Sequence, residues 1–128
     1  MSFEKKIVNT KNAPAAIGTY SQGVELNGVY YFSGQIGLHP ESMELQEGLE
    51  SQLNQILKNI DGLLAECNIT RSHIIKTTIF LTDLSNFGVV NKAYEDFFSA
   101  PFPARSCVEV PALPKGALIE IEVLAAKD

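Results

Sequence analysis

The chain has no concentration of positive charge: its 10 Lys and Arg are scattered among 15 Asp and Glu, for a formal net charge of -5. Binding to a phosphate backbone needs a basic patch or stripe, so a nucleic-acid partner is not expected. Nowhere is there an apolar run long enough to cross a bilayer, and the opening Met1-Ser2-Phe3-Glu4-Lys5-Lys6 leads only into a short apolar segment. The expected location is therefore cytoplasmic, with no membrane partner. Cysteine is scarce, and Cys67 and Cys107 lie far apart with no ligand or CxxC spacing, so both read as reduced thiols. His39 and His73 have no Cys or acidic partner at ligand spacing, which argues against a zinc site. There is no P-loop, no dinucleotide fingerprint and no G-x-S-x-G elbow. What remains is chemistry without a metal or cofactor.

Otherwise the composition is that of an ordinary folded protein, with 45% hydrophobic and 20% charged residues over 128 positions. That length supports one domain, 1–128, with a real core and no need of disulfides. Lys6 to Thr10 reads as a first strand, followed by a Pro- and Gly-punctuated loop from Asn12 to Gly23. Val24-Glu25-Leu26 and Val29-Tyr30-Tyr31-Phe32-Ser33 flank Asn27-Gly28, the two positive-φ residues of a type I′ hairpin turn. Apolar residues at Leu49, Leu53, Ile56, Leu57, Ile60, Leu63, Leu64 and Cys67 form the stripe of a 3.6-period helix that Asn68 stops. Ile74 to Thr82 is a β-branched strand with Ile75, Thr77, Ile79 and Leu81 on one face. A second helix, capped by Asp83 or Ser85 and running through Phe98, buries Phe87, Val90, Tyr94 and Phe97.

The chain closes with Pro103 to Val110 and Leu118 to Val123, which read as a hairpin or close strand pair. Alternation sends Arg105, Cys107 and Glu109 to one face and Ser106, Val108 and Val110 to the other. The element pattern gives an α+β fold, a mixed sheet with two helices on one face. The greasy side of each strand then meets the helices, and Arg105, Cys107, Glu109, Glu120, Glu122, Thr78 and Phe80 share the uncovered face. A partly apolar, uncovered face is an oligomerisation signal.

Arg105 offers a planar fork that suits a carboxylate, or else a cross-strand ion pair with Glu120 or Glu122. Glu120 is either a water-directing base with a raised pKa or a surface carboxylate. Cys107 is either a nucleophile or, lacking a histidine partner, a small strand hydrophobe. Tyr20 either closes a pocket or packs on a strand end. Ser33, Gly34 and Asn91 offer only small size or an amide.

Four stretches carry a resemblance across essentially the whole chain: Gly18-Thr19-Tyr20-Ser21-Gln22-Gly23, Ser33-Gly34-Gln35-Ile36, Val90 to Phe98, and Phe102 to Val110 continuing through Leu-Pro-Lys-Gly to Ile119-Glu120-Ile121-Glu122. Together they resemble the Rid (YjgF) family of reactive-intermediate deaminases. The resemblance implies a chorismate-mutase-like subunit in a homotrimer with clefts between subunits. It also implies hydrolysis of 2-enamines and 2-imines, such as 2-aminoacrylate and 2-aminocrotonate, to 2-keto acids and ammonia. Arg105 would hold the substrate carboxylate, backbone near Cys107 would meet substrate, Glu120 would direct water with help from around Gly34, and Tyr20, Ser33 and Asn91 would line the cleft. Thr19, Gly37 and Ser42 depart from residues common at those positions and bear on loop rigidity. A non-catalytic sensor of 2-keto acids or amino acids, needing Arg105 but not Glu120, is the first alternative. RNA cleavage or translation inhibition is the second, against which the acidic balance argues.

Overall fold

The computed structural model describes residues 4–128, so the first three residues of the opening segment read for targeting lie outside it. Eight main elements follow in order: β1 (Lys6–Val8), β2 (Gly23–Leu26), β3 (Val29–Phe32), α1 (Leu49–Glu66), β4 (Ile74–Leu81), α2 (Phe87–Phe97), β5 (Ala104–Glu109) and β6 (Ile119–Ala126). The first strand ends at Val8, two residues short of its expected limit. No helix of the described residues is long and apolar enough to cross a membrane. Asn27 and Gly28 both take positive φ, +50° and +83°, and close the β2–β3 hairpin as the sequence predicts. α1 ends at Glu66, and Asn68, just past the Cys67 cap, takes a φ of +56° that turns the chain away from the helix. Asp83 caps a single 3-10 turn, Leu84–Asn86, rather than α2 itself, which begins at Phe87.

The six strands form one mixed sheet in the order β1-β2-β3-β6-β4-β5. β5 and β6 are not a pair. β4 lies between them, antiparallel to β6 and parallel to β5, with α2 as the crossover that a parallel neighbour requires. The reason is burial: β4 and β6 place Ile79, Leu81, Ile119, Ile121 and Val123 in the core, whereas β5 is largely exposed and suits an edge. These core side chains pack against Leu53, Ile56, Ile60, Leu63 and Leu64 of α1 and Val90, Tyr94 and Phe97 of α2.

That order corrects the expected faces. Residues opposite one another in register share a face, and Thr77, Ile79 and Leu81 sit opposite Arg105, Cys107 and Glu109. Arg105, Cys107 and Glu109 therefore lie on the helix side of the edge strand, where α2 only partly covers them. Thr78 and Phe80 sit opposite Glu122 and Glu120, and these four occupy the uncovered face with Ser106 and Val108. A second correction concerns Ile75. A bulge between Ile74 and Lys76 makes Ile74 the buried residue and leaves Ile75 47% exposed.

Candidate active site

The loop before β2 is fastened by one side chain. Gln22 is buried; its Oε1 accepts from the Thr10 amide at 2.7 Å and its Nε2 donates to the carbonyls of Thr10, Ala13 and Pro14 at 3.0, 3.2 and 2.8 Å. Ser33 ties the end of β3 to the same loop, its Oγ donating to the Ser21 carbonyl at 2.6 Å and its amide to the Gln22 carbonyl at 2.9 Å. These bonds set Tyr20, a residue 55% exposed, at the mouth of a cleft. Gln35 and Ile121 exchange backbone hydrogen bonds of 2.8 and 3.0 Å, which hold Gly34 against the neighbouring Glu120. A Cβ on Gly34 would lie 2.9 Å from Glu120 Cδ, so glycine is required for that approach.

The resulting cleft of about 340 Å³ is lined by Tyr20, Ser33, Gly34, Gln35, Lys115 and Glu120, among others. Burial and then the nearby Glu122 raise the Glu120 pKa above the ordinary carboxylate value. None of the described residues donates a hydrogen bond to its carboxylate or pairs with it. The group is a base with a raised proton affinity, open to a water or a ligand.

Arg105 stands elsewhere. Its Nη1 donates to Asn91 Oδ1 at 2.9 Å, and its guanidinium carbon lies 4.9 Å from the ring centres of both Phe87 and Tyr94. The expected alternative of a cross-strand pair with Glu120 or Glu122 does not form, because both carboxylates are on the opposite face of the sheet. Among the described residues nothing accepts from its Nε and Nη2, which leaves a two-donor edge for an anion. Asn91, Tyr94, Glu95, Phe102, Pro103 and Arg105 line a second cleft of about 460 Å³.

Cys107 follows Arg105 along β5 and is half-buried against the core. Burial pushes its thiol pKa up, and the field of Arg105 offsets only part of that. Cys67 is pushed up to about 11 by burial and the carboxylates of Glu66 and Glu25. Neither cysteine has the electropositive setting that makes a thiolate nucleophile. His73 Nδ1 accepts from the Thr70 amide at 3.0 Å and His39 Nδ1 from the Glu41 amide at 3.2 Å, so both rings serve their own turns. No group of His, Cys, Asp and Glu able to hold a metal occurs among the described residues.

The structure thus sorts the expected residues into two sets. Tyr20, Ser33, Gly34 and Glu120 share one cleft; Asn91 and Arg105 share another, beside Cys107. Gln22 and Lys115 were not singled out by the sequence. Gln22 sits in a loop where an amide carries no periodic signal, and Lys115, at φ +59° in the Pro114–Gly116 turn, was visible only as part of a Pro-Lys-Gly block.

A family profile described as endoribonuclease L-PSP matches residues 10–127. A curated relative from Salmonella typhimurium, named 2-iminobutanoate/2-iminopropanoate deaminase, is 45% identical over 125 residues, covering 95% of this chain and 98% of its own. The solved structure of a Rid-family protein, YyfA of Yersinia pestis, superposes with a TM-score of 0.94 at 52% identity, covering 97% of this chain and all of its own. TdcF of E. coli, solved with bound serine, gives a TM-score of 0.91 at 39% identity, over 96% of this chain and 99% of its own.

Proposed function

Since the chain belongs to the Rid (YjgF) family, we propose that it hydrolyses 2-imino acids, and the 2-enamines that tautomerise to them, to 2-keto acids and ammonia. The observation that carries this reading is a pair of opposite, unpaired charges, each in its own cleft: Arg105 with a free two-donor edge and Glu120 with a raised pKa. The substrate carboxylate takes the Nε and Nη2 edge of Arg105, and the backbone at Cys107 meets the imine. Glu120 and the backbone near Gly34 orient a water against the C=N carbon. As the C–O bond forms, Glu120 takes the water proton and the C=N electron pair moves to nitrogen. Glu120 gives that proton to nitrogen to complete the carbinolamine, then takes the hydroxyl proton and passes it to nitrogen as the oxygen electron pair closes C=O and the C–N bond breaks, releasing ammonia and the keto acid. Every atom comes from substrate and water. Two unpaired thiols suit a reducing compartment, and the reading includes a cytoplasmic location.

Because the two clefts lie on opposite faces of one sheet, one chain does not bring both charges onto one small substrate. The reading therefore includes a closed homotrimer in which Arg105, Asn91 and Cys107 of one subunit meet Tyr20, Ser33, Gly34 and Glu120 of the next. Its support is the uncovered face, where Ile7, Tyr31 and Val108 are 58%, 47% and 43% exposed. The test couples purified protein to a threonine or serine dehydratase and follows keto-acid release. The protein should accelerate release, and Arg105→Ala and Glu120→Gln should each abolish the acceleration. Refolded together in equal amounts, those two inactive variants should recover about a quarter of the clefts, since each cleft draws its halves independently. No acceleration by the wild type refutes the activity; no recovery in mixed trimers demonstrated by mass spectrometry refutes the shared cleft.

A further inference from the structure

Phe87, Asn91 and Tyr94 stand at i, i+4 and i+7 of α2, the spacing that stacks side chains along one helix face, and all three touch one side chain, that of Arg105. The three contacts differ in kind. Asn91 is one hydrogen bond at the end of the fork, which leaves the guanidinium free to pivot about it. Phe87, half-buried at the start of the helix, has no polar atom to fix its ring. Tyr94 is 6% exposed, and its hydroxyl lies 2.9 Å from the Thr77 hydroxyl, itself 1% exposed. Thr77 is also the β4 residue directly beside Arg105 in the parallel register. A single buried hydroxyl thus fixes the ring against which the neighbouring strand's arginine lies.

We propose that Tyr94, locked by Thr77, is a positioning residue that holds the Arg105 guanidinium against α2 with its Nε and Nη2 edge left free for the substrate carboxylate. The proposal rests on the carboxylate role assigned to Arg105 above and extends it. An exposed arginine has many rotamers, and ordering it on binding costs affinity. A ring face beneath the cation, with an amide at one end, removes most of those states before the ligand arrives.

The test compares two ligands of one shape, 2-ketobutyrate and its neutral amide 2-ketobutyramide, by calorimetry. The ratio of their dissociation constants isolates what the guanidinium contributes to binding the anion, and a general loosening of the fold would move both together. Tyr94→Leu should cut the ratio about tenfold, the scale of a partly desolvated cation–π contact. Tyr94→Phe, which keeps the ring but not its hydroxyl, and Thr77→Val, which removes the hydroxyl's partner, should each fall between Tyr94→Leu and the wild type. If Tyr94→Leu does not fold, Thr77→Val, which releases the ring without removing it, should lower the same ratio. An unchanged ratio in Tyr94→Leu, or in Thr77→Val where that variant stands in, overturns the positioning role if Arg105→Ala collapses the ratio. An unchanged ratio in Arg105→Ala overturns the carboxylate role of Arg105 and this proposal with it.

Discussion

Substituting Gly34 by alanine places a methyl group where the Glu120 carboxylate now lies. The added Cβ would be 2.9 Å from Glu120 Cδ and 3.2 Å from its Cγ, whereas ordinary contact begins near 3.4 Å. Gly34 is not in the left-handed region, so alanine strains no backbone there, and the obstacle is the end of a flexible side chain. The carboxylate therefore swings aside by roughly 0.5 to 1 Å, at a rotamer cost of about 0.5–1.5 kcal/mol. Stability should fall only modestly, with Tm lower by about 2–6 °C. Catalysis should not be spared, since a misplacement of about 1 Å can cost on the order of a hundredfold in rate, or about 2.7 kcal/mol of barrier. Dehydratase-coupled keto-acid release beside a thermal melt separates the two effects. Combining Gly34→Ala with Glu120→Gln should add little further loss, because both remove one function. Near-normal turnover in Gly34→Ala, or full additivity in the double variant, would refute the placement of Glu120 as the water-directing group.

Arg105→Ala should lower kcat/KM by at least about a hundredfold, the scale of lost charge-assisted hydrogen bonds, without moving the melt, and lysine should rescue poorly for want of a fork. Retained coupled activity in Arg105→Ala would sink the carboxylate site. Cys107→Ser should keep most activity, because the thiol is pushed toward its neutral form and only backbone meets substrate; a covalent adduct on Cys107 during turnover would contradict this. The wild-type rate should fall as acid protonates Glu120, at a pH shifted up from the ordinary carboxylate value, and Glu120→Gln should lose turnover and that limb together while still binding 2-ketobutyrate. A carboxylate whose folded pKa lies above its unfolded value costs the folded state stability once ionised. Glu120→Gln should therefore raise Tm at pH 7, with the gain fading as pH falls through the raised folded pKa and gone below the unfolded Glu value of about 4.3; no gain at pH 7 would argue against the burial penalty.

The parts of the fold legible in the sequence are those whose cause is local. Asn27-Gly28 carries its own positive φ, and α1 its own 3.6-period stripe, so neither needed knowledge of a neighbour. Strand order has no such local cause. β5 and β6 are consecutive strands, and nothing between Val110 and Leu118 reveals that β4 takes the place between them. The face of Arg105 was illegible for the same reason: β5 alternates Arg, Cys and Glu with Ser and Val, and neither set is uniformly apolar. Only its register beside Thr77, Ile79 and Leu81 decides which side meets α2. Ile75 looked buried because a bulge leaves no trace in a run of β-branched residues. Arg105, Glu120 and Gly34 were chosen for the chemistry of their side chains or for want of one, whereas their division between two clefts depends on the register of strands distant in sequence.

The separation of Arg105 from Glu120 within one chain has a physical use. Were the two placed on one face at about 4 Å, their attraction would be roughly 4 kcal/mol at an effective dielectric constant of 20. A substrate carboxylate would have to displace Glu120 from Arg105, and Glu120, stabilised as an anion, would lose the raised pKa that makes it the stronger base. A sheet between them prevents the pair from forming in any rotamer, so each charge is kept unsatisfied within one chain. In the proposed trimer, the group that binds the acid and the group that moves the proton come from different chains. An isolated subunit, however well folded, should then bind a keto acid weakly through Arg105 and turn over nothing.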